Sequence, residues 1–367
     1  MNTFDFLIVG AGFSGCTLAE RLSRQANMKV LVVERRGHVG GNAHDYYNND
    51  GILVHKYGPH YFRTNSKRVW DYLSLFTEWH YVQYRILAYL DGQYLNLPIN
   101  LNTYNQLYGT SLSSFELEKI FTNHLQSSES FGNSEQAIIA KVGEELFEKF
   151  YKNYTKKQWD LWPSQLDASV CGRIPVRINR DDRYFTDRYQ AMPKHGYNRM
   201  FERMLDHKNV NLMLQTDYRD IKDLIPHKKL IYTGPLDEFF DCRHGRLPYR
   251  SLRFEHETID REFYQPVSQI NYPNDYDFTR IVEIKHVTGQ IHHKTTIVRE
   301  YPESSGEPFY PIATPHNRAI FKKYQQDTLK LDTIIFSGRL AEYKYLNMDQ
   351  VVANALDRFE RIDAETA

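Results

Sequence analysis

What this 367-residue sequence lacks narrows its function before any motif does. It has no net charge, since 46 lysines and arginines balance 46 aspartates and glutamates. That balance excludes bulk electrostatic attachment to nucleic acid or to an anionic membrane, and any anionic ligand must be met by locally placed cations. No apolar run reaches about 18 residues, the length a membrane-spanning helix needs. The first residues lead almost directly into FDFLIVG, without a basic segment, a long apolar stretch or a cleavage site, so no export signal is expected. Cysteine is scarce: Cys16, Cys171 and Cys242 are odd in number and far apart, which gives neither a disulfide framework nor a metal-ligand spacing. Internal repeats and low-complexity linkers are missing too. The expectation is a cytoplasmic protein that binds no metal, inserts into no membrane and meets no nucleic acid.

Aromatic residues are abundant by contrast, at 14% of the chain with 27 tyrosines. Tyrosine can bury its ring while its hydroxyl finds a partner. The surplus therefore fits either packing or a site for planar rings and sugars, and composition leaves both open. The length predicts two or three domains. FDFLIV (4–9) is a short apolar run ending at Gly10, CTLAERLSRQ (16–25) has helical spacing, and KVLVVE (29–34) reads as a second buried strand. From about Trp70 to Trp162 the segments turn helix-like, as in SFELEKIFTNHLQ and SEQAIIAKVGEELFEKFYKNYTKKQW. Beyond about residue 172, strand-like runs such as RIVEIKHV and HKTTIVREY alternate with turns such as YPNDYD. LIYTG (230–234) and TIIFSGR (333–339) return to strand-then-glycine and read as further strands of the first sheet. A discontinuous nucleotide-binding domain carrying insertions is the layout these patterns predict.

Gly10, Gly12 and Gly15 make G-x-G-x-x-G between a strand and a helix, and Glu34 ends the next strand. Each residue has its own physical purpose. Gly10 permits the tight turn, Gly12 lets the backbone approach a pyrophosphate, Gly15 lets helix and strand pack closely, and the acid meets a ribose. The helix N-terminus stabilises the phosphates through free N–H groups and its dipole. Downstream, ERRGHVGGNA adds Gly40 and Gly41, which can take positive φ close to a ligand. An acid, a basic residue and a glycine pair resemble the second fingerprint of flavin enzymes in the glutathione-reductase and amine-oxidase lineage. A nicotinamide enzyme needs no such pair, so the dinucleotide expected is FAD.

HKYGPHYFRTN (55–65), YTKKQW (154–159), RIPVR (173–177), YFTDRYQAMP (184–193), YTGPLDEFFD (232–241), EPFYP (307–311) and GRLAEYKYLNM (338–348) follow in that order. In these motifs, over nearly the whole chain, the sequence resembles the bacterial UDP-galactopyranose mutase family. The resemblance implies an α/β fold: a Rossmann-like FAD-binding domain (1–80, 210–242 and 330–367) with an inserted helical domain (100–165) and an antiparallel β-sheet substrate domain (81–99, 166–209 and 243–329). It implies interconversion of pyranose and furanose forms of a nucleotide sugar, through attack of reduced FAD N5 on the anomeric carbon. NAD(P)H or another reductant would activate the flavin, and a homodimer is the implied assembly.

The same resemblance assigns site residues. Arg173 and Arg280 meet the diphosphate, with Tyr310 and Tyr345 donating to it; Tyr154 and Trp159 line the cleft, and Tyr184 stacks on uracil. His60 lies near the flavin, and Phe13, Ser14, Arg35, Gly41, Asn42, Gly338, Arg339, Tyr345, Asn347 and Met348 contact the cofactor. Two positions depart from the family pattern: Arg63 replaces a histidine beside flavin and sugar, and Asn347 replaces an aspartate. Arg63 thus joins the catalytic candidates, and sugar choice stays open between galactose and a modified sugar of the UDP-N-acetylgalactosamine or dTDP-fucose type. An amine-oxidase-like oxidoreductase and a non-catalytic flavin-bound interaction protein are the other readings these fingerprints allow.

Overall fold

The computed structural model describes residues 3–124, 131–172, 175–312 and 314–366. It opens with β1 (Phe4–Val9), α1 (Phe13–Arg24) and β2 (Val30–Val33). A hairpin of β3 (Asp45–Tyr47) and β4 (Leu53–His55) follows, then β5 (Phe62–Thr64), α2 (Lys67–Leu73) and β6 (Trp79–Tyr81). Strands β7 (Ile86–Leu90) and β8 (Gln93–Leu97) form a second hairpin. A helical stretch comes next: α3 (Leu101–Tyr108), α4 (Ser114–His124), α5 (Ser134–Val142), α6 (Glu144–Phe147), a π-helical turn over Glu148–Lys152, α7 (Asn153–Trp159) and α8 (Ala168–Gly172). The chain returns through β9 (Tyr189–Pro193), α9 (Gly196–Leu205), β10 (Val210–Met213), α10 (Tyr218–Ile221), β11 (His227–Tyr232) and α11 (Leu236–Phe239). It continues with β12 (Tyr249–Ile259), β13 (Gln269–Asn271), β14 (Arg280–Val282), α12 (Lys285–Thr288), β15 (Thr295–Glu303) and β16 (Tyr310–Pro311). The last elements are α13 (Pro315–Thr328), β17 (Ile334–Phe336) and α14 (Met348–Thr366).

Five strands pair in parallel in the order β10-β2-β1-β11-β17. A parallel sheet is covered on both faces, so its strands read as apolar runs: every residue of VLVV in β2 is buried. One face packs under α1, α9 and α14 through Ile8, Cys16, Leu22, Phe201 and Val352. The other carries Leu7, Leu31, Val33 and Leu230 against Ile221 of α10. This is the Rossmann-like arrangement expected from the strand-then-glycine runs, with three distant segments meeting in one sheet.

A seven-stranded sheet ordered β16-β12-β15-β14-β13-β7-β8 forms the second layer. It is antiparallel except where β7 runs parallel to β13. The run RIVEIKHV is a strand only over Arg280–Val282, because Lys285–Thr288 coils into the single turn of α12. The long helix-like segment ending at Trp159 is also broken. Gly143 at φ 85° is not helical and ends α5, and the π-turn adds a residue before α7. Phe150 and Tyr151 of that turn enter the helical core and also border a cavity that Tyr154 and Trp159 of α7 line. Among the described residues, no helix is long and apolar enough to cross a membrane.

Candidate active site

The turn after β1 is built by the three glycines of the first fingerprint. Gly10 has φ 100°, where a Cβ would come within 2.1 Å of Thr233 Oγ1, and a Cβ on Gly15 would sit 1.9 Å from the Gly10 carbonyl oxygen. Gly15 is therefore beneath the turn and holds helix to strand rather than lining the site. Glu34 ties the turn to the next one, its two carboxylate oxygens accepting from the backbone N–H of Ala11 and of Arg36 at 2.9 Å each. The second glycine pair lies against the first turn: Gly40 N–H donates to the Ala11 carbonyl at 2.7 Å, and φ is 93° at Gly40 and 55° at Gly41. A Cβ on Gly41 would approach Gly12 Cα to 3.2 Å. No side chain caps the first turn of α1, which leaves its N–H groups for an anion.

These turns wall a cavity of about 390 Å³ that also touches Phe13, Ser14, Glu34, Arg35, Asn42, Gly338, Arg339 and Met348. Gly338, just beyond β17, lines it too, and the Ser337 hydroxyl before it lies 2.9 Å from that of Ser14. A larger cavity of about 890 Å³ opens beside it, lined by Arg63, Tyr154, Trp159, Tyr184, Arg280, Tyr310, Tyr345 and Asn347. Tyr345 and Asn347, expected at the cofactor, thus border the larger space, while Met348 borders both. Asn42, His60, Phe309, Arg339, Leu346 and Met348 line both cavities, so the two meet there. Arg173 lies outside the described residues.

His60 is held at this junction. Its Nδ1 is 3.0 Å from the Gly58 carbonyl and its backbone N–H donates to His55 Nδ1 at 3.1 Å. A carbonyl only accepts, so Nδ1 carries the proton and Nε2 is left as an acceptor. Burial, with Arg339 and Arg280 adding positive charge nearby, lowers the imidazole to about 4 against the Gly58 bond. It is neutral at neutral pH.

Arg280 opens β14 opposite Glu300 of β15, and their side chains pair at 2.5 Å. Glu300 is 1% exposed, and its Oε2 and the Arg280 Nε have no partner. Burial alone would lower the guanidinium, but Glu300, together with Tyr154 and Tyr310, raises the pKa well above the ordinary value. Tyr310 stands beside this pair with its hydroxyl pushed up to about 12 by burial and by Glu300. Its ring stacks on Tyr345 at 5.7 Å and lies 6.1 Å from Trp159. The Arg339 guanidinium sits 5.7 Å and 5.3 Å from the Tyr310 and Tyr345 rings, Nη2 donating to the Phe309 carbonyl at 2.8 Å and Nε lacking a partner. Two guanidinia with unspent donors and a row of aromatics suit an anion joined to planar rings. Arg63 lines the same cavity while its Nη1 donates to both Asp187 oxygens, at 3.0 and 3.1 Å, and its guanidinium covers Phe185 at 4.2 Å.

Glu300, Asp187 and Phe309 were not expected from the sequence. Glu300 left one trace: an acid inside the strand-like run HKTTIVREY.

A doubly wound sheet whose two glycine turns pack against each other, with a cationic, aromatic chamber opening off the same ligand space, defines a flavin-type Rossmann enzyme. A family model described as UDP-galactopyranose mutase matches residues 149–345, and one described as an NAD(P)-binding Rossmann-like domain matches residues 8–76. The chain is 39% identical to a probable UDP-galactopyranose mutase of Klebsiella pneumoniae, over 97% of this chain and 94% of the relative. It is 35% identical to a dTDP-fucopyranose mutase of Escherichia coli, over 96% of each. A crystal structure of reduced UDP-galactopyranose mutase shares the fold, with a TM-score of 0.80 at 15% identity over 99% of this chain and 94% of that one. The chain belongs to the UDP-galactopyranose mutase family and is an isomerase-type enzyme.

Proposed function

We propose that this protein binds FAD in the smaller cavity and interconverts the pyranose and furanose rings of a nucleoside-diphosphate sugar in the larger one. UDP-galactopyranose is the leading substrate. The observation that carries this reading is the shared border at His60, Arg339 and their four neighbours: a cofactor ring and an anomeric carbon can meet there without either ligand leaving its cavity. Relatives named for UDP-galactopyranose and dTDP-fucopyranose support the substrate class.

The residues fit FAD. Gly12 and Gly41 leave room that side chains would fill, the uncapped turn of α1 receives the pyrophosphate, and the spare lone pairs of Glu34 accept ribose hydroxyls. Reduced flavin, once bound, supplies the nucleophile for the anomeric carbon as the diphosphate leaves. The chain does the rest. Arg280, with Arg339 and Arg173, meets the charge that grows on the departing diphosphate. Tyr310, its hydroxyl protonated, and Tyr345 donate to phosphate oxygens; Tyr154, Trp159 and Tyr184 hold the planar base and the sugar. His60, protonated at Nδ1, offers Nε2 as an acceptor at the junction. Activation by NAD(P)H or another reductant, a homodimer and a cytoplasmic setting complete the proposal. We place α9 with the cofactor-binding unit, since its apolar side packs on α1, and the helical and seven-stranded parts with the substrate.

Arg63 favours a second reading of the sugar. It borders the larger cavity as a fixed charge, which a modified hexose could use. The test is incubation of dithionite-reduced holoprotein with UDP-galactopyranose, UDP-N-acetylgalactosamine and dTDP-fucopyranose, followed by chromatography. A ring isomer supports the mutase, an oxidised product would favour an oxidase, and unchanged sugars would leave only a flavin-bound interaction protein.

A further inference from the structure

Lys157 lies on α7 between residues that line the substrate cavity, yet its own side chain reaches elsewhere. Its Nζ donates to the backbone carbonyls of Tyr272, Asp275, Tyr276 and Phe278, the last three at 3.0, 3.2 and 3.3 Å. All four belong to the loop joining β13 to β14, and the residue at its exit is Arg280. A turn ordinarily meets its own carbonyls with its own N–H groups or with water. This one instead directs them inward on an ammonium, as a loop would around a bound monovalent cation. Tyr276 at φ 57° is in the left-handed region, a conformation costly for an aromatic residue and sustained only where the surroundings demand it.

Other contacts join the loop to α7 and to the π-turn before it. Asn153 of α7 donates to the Asn274 side chain at 3.0 Å, and Asn274 donates to the Lys149 carbonyl at 3.1 Å. From β12, Arg250, only 4% exposed, takes the Gln158 carbonyl at 3.1 Å and the Lys157 carbonyl at 3.4 Å. The C-terminal turn of α7 is thus held on one side by Arg250, while its lysine holds the loop on the other. Tyr154, Gln158 and Trp159, on the same helix, face the cavity.

We infer that Lys157 is a positioning residue for the reaction: its caged ammonium fixes the β13–β14 loop to α7, and so sets Arg280 at the distance from Tyr154 and Trp159 that a nucleoside diphosphate requires. This inference rests on the reading that Arg280 meets the diphosphate. Burial lowers the Lys157 ammonium to about 8, against the charges of Asp275 and Asp277 on the loop, so its hold is strongest at neutral pH and below.

The test compares Lys157→Met, Arg280→Ala and the double variant, all as oxidised holoprotein, by FAD absorbance per chain and by titration with UDP. Lys157→Met is expected to keep its FAD, and each single variant to weaken UDP binding about tenfold, with the double variant no weaker than Arg280→Ala alone, because both changes disable one contact. If Lys157→Met fails to fold, Lys157→Gln, which retains two N–H donors, is expected to give the same pattern in weaker form. A folded lysine variant with unchanged UDP affinity would overturn the inference, as would losses that multiply in the double variant or lost FAD in both lysine variants. Normal UDP binding by Arg280→Ala would remove the phosphate role of Arg280 itself, and this inference with it.

Discussion

Arg280 and Glu300 face each other across β14 and β15, and the value of the arginine comes from that pairing. An exposed ion pair contributes little, but a guanidinium fixed by a 1%-exposed carboxylate needs no reorganisation when charge develops beside it. Arg280→Ala is expected to lower kcat/KM by roughly 2.7–4 kcal/mol of transition-state stabilisation, the scale of one preorganised donor, with FAD content unchanged. Arg173→Ala carries the same expectation. Steady-state kinetics on both variants checks this, and near-normal kcat/KM would exclude them as the phosphate clamp. Arg63 is tied to Asp187 and also borders the cavity, so its ion pair does not remove it from the reach of a bound sugar. Arg63→His is expected to shift relative kcat/KM toward UDP-galactopyranose and away from a modified sugar nucleotide by about 1–3 kcal/mol, the value of one pocket contact. An unchanged ratio in an active variant would show that Arg63 does not choose the sugar.

The first fingerprint turn shows how neighbouring glycines of one element serve different ends. A Cβ on Gly12 would meet nothing closer than Gly41 Cα at 3.9 Å, whereas one on Gly15 would strike the Gly10 carbonyl oxygen at 1.9 Å. Gly12→Val is therefore expected to melt like the wild-type apoprotein yet hold no FAD. Gly15→Ala is expected to lower the melting temperature, with an overpacking cost of about 1–3 kcal/mol. Absorbance of the purified proteins and melts of the apoproteins separate the two, and a Gly12→Val protein that stays yellow would sink the assignment. Both turns were legible in the sequence because strand, glycines, helix and acid are local signals with fixed spacing. β11 and β17 were legible as buried runs ending at glycine. The break at Gly143 and the π-turn were not, since a helical period passes through a one-residue insertion almost unchanged. Single turns such as α12 and three-residue strands such as β5 and β6 are too short to have a period. In the site, residues inside ordered motifs could be located, but Glu300 and Asp187 act through partners chosen by strand register and loop packing, which no local pattern specifies.

Across the whole molecule, buried titratable groups set how the fold responds to acid. Burial lowers His55 to about 3, and His44 and His60 to about 4. Each contributes stability that is present above pH about 6.5, the unfolded value, and is lost as pH falls through the folded one. Asp45, raised to about 6 by burial against its bonds to the Tyr197 and Asn198 N–H groups at the start of α9, has the opposite sign: its contribution is present at low pH and lost as pH rises through about 6. For these four groups alone, three protons against one amount to at most about 3 kcal/mol per pH unit between roughly pH 6 and 4.5, and burial of His38 and His256 acts in the same direction. The apoprotein is expected to melt progressively lower over that range, and a flat melting temperature would contradict these histidines being neutral. Function has a whole-molecule signature as well, because ring contraction consumes no electrons: one equivalent of dithionite is expected to support many turnovers, and consumption matched to product would indicate net oxidation. The sheet has a temporal consequence too. β1 and α1 are made early, but the wall at Gly338, Met348 and Val351 comes from the segment after β17 and from α14. At about 5–20 residues per second, a ribosome needs roughly 15 to 70 s to pass from one to the other. For the first part of that interval the nascent edge of β1 lacks β11, and for all of it the apolar face lacks α14, so the wall of the cofactor cavity is complete only when α14 has been made.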